Sequence, residues 1–213
     1  MTTLLSEPHR AAATGLAARD ATIARLAERY GLPTFTAPSQ TAFAFLARSI
    51  THQQLSTRSA EAIHGRLLAA LGGEVTAPGL RALPDDELRR VGMSQAKIAS
   101  LRDLAARVDE GALALDRAVL AAQDDATVVA ALTAVRGIGR WTAEMFLLFQ
   151  LLRLDVWPTG DLAIRKGYAA GWGTAVPSAR ELDVLGEAFR PVRTVAAWYC
   201  WAVLGQAPGP GIG

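Results

Sequence analysis

Cysteine occurs once in this chain, at Cys200. A single thiol excludes an internal disulfide and any iron–sulfur cluster held by four cysteines. Histidine is nearly as scarce. His9, His52 and His64 are the whole set and show no zinc-ligand spacing, so a metal-activated water is not expected. No apolar run reaches the ~18 residues of a membrane span. The opening MTTLLSEPHR has neither the basic n-region nor the apolar h-region of a secretory signal. The expected setting is therefore cytoplasmic, with no membrane partner. No stretch alternates polar and apolar residues as a half-buried strand does, and no repeat is present. Charge of one sign is also lacking: 22 basic residues face 20 acidic ones, for a net charge of +2 and a pI near 9.0. So mild a balance does not announce nucleic acid, and a local group of arginines would have to do so.

What is present is helical. Hydrophobic residues make up 51% of 213 residues, many of them alanine, which suits one globular unit or two closely packed helical subdomains. Glu7-Pro8 opens a helical stretch that breaks near Asp20 and runs to Tyr30, where Gly31 stops it. Phe43, Leu46, Ala47 and Ile50 form a stripe at helical spacing within 41–51. Ser56 is placed to cap a helix reaching Leu71, Ser94 one over 95–109, and Ser178 one over 179–189. A short helix is expected over 85–91, another from Asp124-Asp125 towards the glycines at 137–139, and a last one from Pro191. Lys97, Arg89, Arg90 and Arg102 read as solvated helix faces. Trp157 and Trp198 read as core.

Residues 132–166 carry the chemistry. Leu132 to Gly139 reads as a helix end and a hairpin in which two glycines, spaced G-x-G, permit φ > 0 and leave no Cβ in the way. An amphipathic helix over 140–152 starts directly after them. Its unpaired N–H groups and positive dipole end make an anion site. Arg136 and Arg140 flank it, so a phosphate is the natural guest. After a Pro-Thr-Gly turn, Asp161 stands at the N-cap position of a further helix, 22 residues beyond Gly139. Either feature alone also fits an ordinary αα-corner or a plain helix cap. A phosphate-gripping hairpin, one helix and then a pinned carboxylate suit chemistry on a nucleotide.

Leu132-x-x-Val135-x-Gly137-Ile138-Gly139-x-Trp141-Thr142-Ala143, followed by Pro158-Thr159-Gly160-Asp161-Leu162-x-Ile164-Arg165-Lys166, resembles the signature of the helix-hairpin-helix DNA glycosylases. The nearest branch is the alkylation-repair type, DNA-3-methyladenine glycosylase II, and the resemblance extends over nearly the whole chain. It implies an all-α fold of two helical subdomains with an active-site cleft between them: 42–154 carrying the hairpin, and 1–41 plus 155–213 carrying the aspartate. It implies a monomer acting on double-stranded DNA that contains alkylated bases. Asp161 would be the catalytic carboxylate. Trp141, Trp201, Met145 and Leu162 would fall in the base pocket, where the best-known relatives have further aromatics in place of Met145 and Leu162. Arg136, Gly137, Gly139, Arg140, Thr159 and Gly160 would bind DNA phosphate. Gln53-Gln54-Leu55-Ser56 matches the loop that enters the DNA stack, with Gln54 or Leu55 as the wedge. Aligning Ser56-Thr57 favours Gln54 and turns Leu55 back to the core. Where the family usually has glycine, this chain has His52.

The resemblance also separates subclasses. Some relatives carry a four-cysteine cluster, which this chain cannot hold. Trp141 stands where lyase-active relatives place a catalytic lysine, and an indole cannot form a Schiff base. No cofactor is required, although the carbonyls of Thr133, Val135 and Gly137 would suit a sodium or potassium ion bridging to phosphate. The β-rich domain that precedes this core in larger bacterial relatives is not expected in 213 residues. The implied activity is hydrolysis of the N-glycosidic bond of alkylated purines of the 3-methyladenine and 7-methylguanine type, after base flipping. Two alternatives remain: a glycosylase for other damaged or mismatched bases, and a non-enzymatic helix-hairpin-helix DNA-binding module.

Overall fold

The computed structural model describes residues 7–207. They form α1 (Glu7–Ala17), α2 (Ala21–Tyr30), α3 (Ala42–His52), α4 (Thr57–Ala70), α5 (Ala77–Ala82), α6 (Asp85–Arg90), α7 (Gln95–Asp109), α8 (Arg117–Ala121), α9 (Asp125–Thr133), α10 (Arg140–Phe149), α11 (Leu162–Trp172), α12 (Ala179–Gly186), a 3-10 turn (Glu187–Phe189) and α13 (Arg193–Val203). Among the described residues there is no strand, so the all-α expectation holds.

Side chains start most of these helices. Thr41, Ser56, Ser94, Asp124 and Ser178 each accept a backbone N–H of the first turn. Asp20 does the same for α2, accepting from Ile23 at 2.9 Å at the expected break. Two short helices escaped the sequence reading. Thr76 caps α5 and Asp116 caps α8, and each run is too short for helical periodicity to register. The helix expected to reach Leu152 ends instead at Phe149. The chain closes there with a bond from the Arg153 N–H to the Leu147 carbonyl at 3.0 Å, and Leu152 takes φ 53. The last helix begins at Arg193, not Pro191.

The chain divides into two compact units: Met1–Ser39 with Leu147–Gly213, and Gln40–Phe146. The second division lies inside α10, earlier than the expected 154/155. Phe149, at the end of that helix, packs against Phe35 and Trp201, with ring centroids at 6.5 and 6.2 Å. In the first unit α11 lies on α13, α13 on α2, and α1 on α2. In the second, α7 is the hub and carries α3, α5 and α6, while α4 covers α3. Arg102, expected on a solvated face of α7, donates to the Leu83 carbonyl at 2.5 Å and to Asp85 Oδ1 at 2.6 Å. It thereby ties α7 to the start of α6.

His9 is buried in α1, its ring 4.2 Å from that of Phe35, and neither ring nitrogen has a partner. Burial pushes its pKa down from 6.5 to about 4. Between those values the unfolded chain binds a proton that the folded chain refuses. Stability therefore rises with pH across this window and is lost as pH falls from 6.5 towards 4, by about 3 kcal/mol in all. Denaturant melts at pH 7.5, 5.5 and 4.5 are expected to show this slope, and His9→Leu is expected to flatten it. An unchanged slope in that variant would remove His9 as the cause.

Candidate functional site

The hairpin lies between α9 and α10. The Ile138 N–H donates to the Val135 carbonyl at 3.1 Å, which tightens the turn. Of the two glycines only Gly137 uses its freedom, at φ 79, and a Cβ there would lie 2.5 Å from Ser100 Oγ. Gly139 has ordinary backbone, and a Cβ there would meet nothing within 4 Å. The two positions thus do different work: Gly137 permits the turn and Gly139 leaves the entrance of α10 open. The first-turn N–H groups of α10 point outward there. Arg136 and Arg140 are both exposed. Arg140 Nε also donates to Glu144 Oε1 at 2.8 Å, which offsets part of its charge. The Arg136 backbone N–H donates to Asp103 Oδ2 at 2.7 Å. Burial alone would raise the Asp103 carboxyl, but that N–H and the Arg107 guanidinium carry it below the usual carboxylate range.

Gly137→Ala is expected to lower stability by about 1–2 kcal/mol, since both the positive φ and Ser100 oppose a Cβ. If the hairpin grips phosphate, Gly139→Ala is expected to weaken DNA binding equally with and without a lesion, because a phosphate contact reads no base edge. A loss confined to lesion-bearing DNA would argue against a phosphate clamp.

Gln53, Gln54, Leu55 and Ser56 join α3 to α4. Gln54 is exposed and left-handed at φ 56. Leu55 does not turn back to the core: 39% of it is exposed. The chain turns at Gln54, which leaves Leu55 on the outer side of a short loop. Before the loop, His52 Nδ1 lies 2.9 Å from the Arg48 carbonyl and Nε2 lies 3.2 Å from Glu61 Oε1, which Arg48 also contacts at 2.7 Å. His52 therefore helps fasten α3 to α4. Lys97, expected to be solvated, donates to the Thr51 carbonyl at 2.6 Å, and burial holds its ammonium below the usual lysine range.

In the other unit, Asp161 caps α11. Its Oδ1 accepts from the N–H groups of Ala163 at 2.7 Å and Ile164 at 3.3 Å. The loop that delivers it is fixed along its length. Thr194 Oγ1 accepts from Val156 and donates to the Arg153 carbonyl. Arg193, largely buried, holds Asp155 at 2.8 Å. Trp157 is buried as expected, with Nε1 donating to the Leu182 carbonyl at 2.9 Å. Thr159 and Asp161 close the turn onto the Trp157 and Pro158 carbonyls. Gly160 is exposed. Cys200 is fully buried in α13, and burial first, then the Asp161 charge, pushes its thiol up. It stays a protonated core residue.

The expected pocket residues fall in both units. Trp141 and Met145 stand one turn apart on α10, the first half-exposed and the second buried. Leu162 is half-exposed at the start of α11, and Trp201 is buried on α13 against Phe149. Among the described residues no group of histidine, cysteine, aspartate or glutamate could hold a metal. The hairpin carbonyls offer hard oxygen donors instead. Those of Val135 and Gly137 already accept one hydrogen bond each, from Ile138 and from Gln53. Each keeps a second lone pair, the kind of hard oxygen donor an alkali cation takes.

An all-helical chain with a hairpin opening onto a helix N-terminus and a helix-capping aspartate one helix later has the architecture of a helix-hairpin-helix DNA-repair glycosylase. A family model described as HhH-GPD superfamily base excision DNA repair protein matches residues 47–183, and the chain belongs to that superfamily. The chain is 34% identical over 159 residues to DNA-3-methyladenine glycosylase 1 of Schizosaccharomyces pombe, covering 73% of this chain and 69% of that one. The crystal structure of DNA-3-methyladenine glycosidase from Bacillus halodurans superposes with a TM-score of 0.83 at 33% identity, covering 96% of this chain and 93% of the other. Schizosaccharomyces pombe Mag1 in complex with abasic DNA gives a TM-score of 0.77 at 31% identity, covering 89% and 94%.

Proposed function

We propose that this chain is a monofunctional DNA glycosylase that hydrolyses the N-glycosidic bond of alkylated purines in double-stranded DNA. The observation that carries the reading is Asp161, a carboxylate fixed at the cap of α11 by two N–H bonds to one of its oxygens, in a chain whose relatives are named for 3-methyladenine. A glycosidase ordinarily needs a second carboxyl group as acid for the leaving group. A purine alkylated on a ring nitrogen already carries positive charge and leaves without protonation. One carboxylate then suffices to stabilise the oxocarbenium-like sugar and to orient or deprotonate the water. The base must first be flipped, at a cost of a few kcal/mol. A wedge at Gln54, with Leu55 beside it, fills the gap left in the stack. The hairpin, Arg136 and Arg140 grip the backbone, with Thr159 and Gly160 as further phosphate contacts. The carbonyls of Thr133, Val135 and Gly137 would hold a sodium or potassium ion, which would supply positive charge towards phosphate. Trp141, one turn from Met145 on α10, and, in the other unit, Trp201 and Leu162 are the candidates to receive the cationic base, which an indole face attracts by about 0.5–2 kcal/mol.

Lyase chemistry needs an amine. The chain has two lysines: Lys97 is engaged with the Thr51 carbonyl, and Lys166 is exposed on α11. Trp141 stands where the resemblance places the lysine of lyase-active relatives, and Lys166 reads as a phosphate contact or a surface charge, so hydrolysis alone follows from this reading. The test is release of 3-methyladenine and 7-methylguanine from methylated duplex DNA, identified by chromatography. The product strand is expected to stay intact until alkali is added, with no covalent adduct trapped by borohydride. Failure to release either base would overturn the substrate, and a trapped adduct would overturn the monofunctional assignment.

A further inference from the structure

Within the Gln40–Phe146 unit, the wedge loop and the hairpin are far apart in sequence yet joined to one rail and to each other. Lys97, Ser100 and Asp103 stand at i, i+3 and i+6 along one face of α7. Lys97 Nζ donates to the Thr51 carbonyl at 2.6 Å, where α3 runs into the wedge loop. Ser100 Oγ lies under Gly137, close enough that a Cβ there would meet it at 2.5 Å. Asp103 Oδ2 takes the Arg136 N–H at 2.7 Å. Gln53 Nε2 in turn donates directly to the Gly137 carbonyl at 2.7 Å, across 84 residues of sequence. Gln54 follows at once, in the left-handed conformation that non-glycine residues rarely adopt. Such a conformation persists only where its surroundings over-determine it.

We propose that Gln53 is a positioning residue: its amide sets the wedge at a fixed distance from the clamped phosphate, so that the two loops engage DNA as one body. The inference rests on the wedge assigned above. A wedge must enter the stack at a defined distance from the gripped backbone, and a shift of ~1 Å is enough to lose most of its effect. A Gln53 that merely satisfied a carbonyl would support the fold and show no preference among substrates.

Gln53→Met keeps the length and neutrality of the side chain and removes its donor. The test compares it with Gln54→Ala on two methylated substrates, a fully paired duplex and the same sequence with the lesion in a small bubble, where the stack is already open. The expected result is a fall in duplex kcat of about tenfold for Gln53→Met, with duplex KM, bubble kcat and melting temperature nearly unchanged. The same selectivity is expected for Gln54→Ala. A duplex-specific defect in Gln54→Ala without one in Gln53→Met overturns the inference and leaves the wedge in place. Equal losses on both substrates, or a loss that tracks melting temperature, overturn it in favour of a structural role. No duplex-specific defect in either variant removes the wedge itself. A wild-type protein inactive on both substrates removes the glycosylase reading instead.

Discussion

Asp161→Asn is expected to lower the rate of base release by about a thousandfold or more while leaving DNA affinity within a few-fold of wild type. The first part follows from charge. Asparagine cannot stabilise an oxocarbenium-like sugar as a carboxylate does, nor accept a proton from water, and such contributions are each worth roughly 10²–10⁴ in rate. The second part follows from the division of labour. Phosphate contacts supply most of the affinity, and those assigned here lie on the hairpin, on Arg136 and Arg140, and on the turn before Asp161. Asparagine is also the informative replacement for a structural reason. Oδ1 of Asp161 caps α11 through Ala163 and Ile164, and asparagine is as good an N-cap as aspartate. Asp161→Ala would remove cap and charge together, at a stability cost of about 1 kcal/mol. Single-turnover excision beside equilibrium binding to the same methylated duplex decides the matter. Near-normal excision by Asp161→Asn at an unchanged melting temperature would sink the assigned chemistry.

Asp161 was legible from sequence because its signal is local: a turn rich in proline and glycine, a capping residue, then helical periodicity. The same holds for the hairpin and for the serines that open α4, α7 and α12. What sequence could not show is long-range and polar. Nothing in the pattern around Lys97 or Arg102 announces that each leaves its helix surface to satisfy a carbonyl on another element. Both read as solvated because exposed charge is the commoner outcome for an isolated cation on a helix. Gln53 reads as ordinary loop polarity for the same reason, since its partner lies 84 residues away. The misplacement of Leu55 has a different origin. Aligning Ser56-Thr57 with the family turns Leu55 to the core, but the loop carries a left-handed Gln54, a conformation glutamine adopts rarely and no propensity would assign. The G-x-G pair overstated its case too, because one glycine serves backbone geometry and the other serves open space.

Gly167→Ala is expected to be the most damaging conservative substitution in the unit that carries Asp161. Gly167 lies in the middle of α11, where glycine is ordinarily the weaker choice. Its reason for being there is α13. A Cβ at this position would lie 1.9 Å from the Cys200 carbonyl oxygen and 2.5 Å from its carbon. These are backbone atoms, so no rotamer change can relieve the contact and the two helices must part. Overpacking of this kind costs about 3 kcal/mol or more where the neighbour cannot yield, a fall in melting temperature of about 10 °C for a chain of this size. Gly65 provides the opposite case. It too is helical, in α4, but a Cβ there meets nothing within 4 Å, so Gly65→Ala is expected to raise stability by up to about 1 kcal/mol. The same chemical change should thus have opposite signs at the two positions. Because Asp161 caps α11, the surviving folded fraction of Gly167→Ala is also expected to excise slowly, its carboxylate displaced with the helix. Thermal melts of both variants, with excision measured below the transition, test the account. A Gly167→Ala protein that melts with the wild type would show that α11 and α13 do not approach as closely as described.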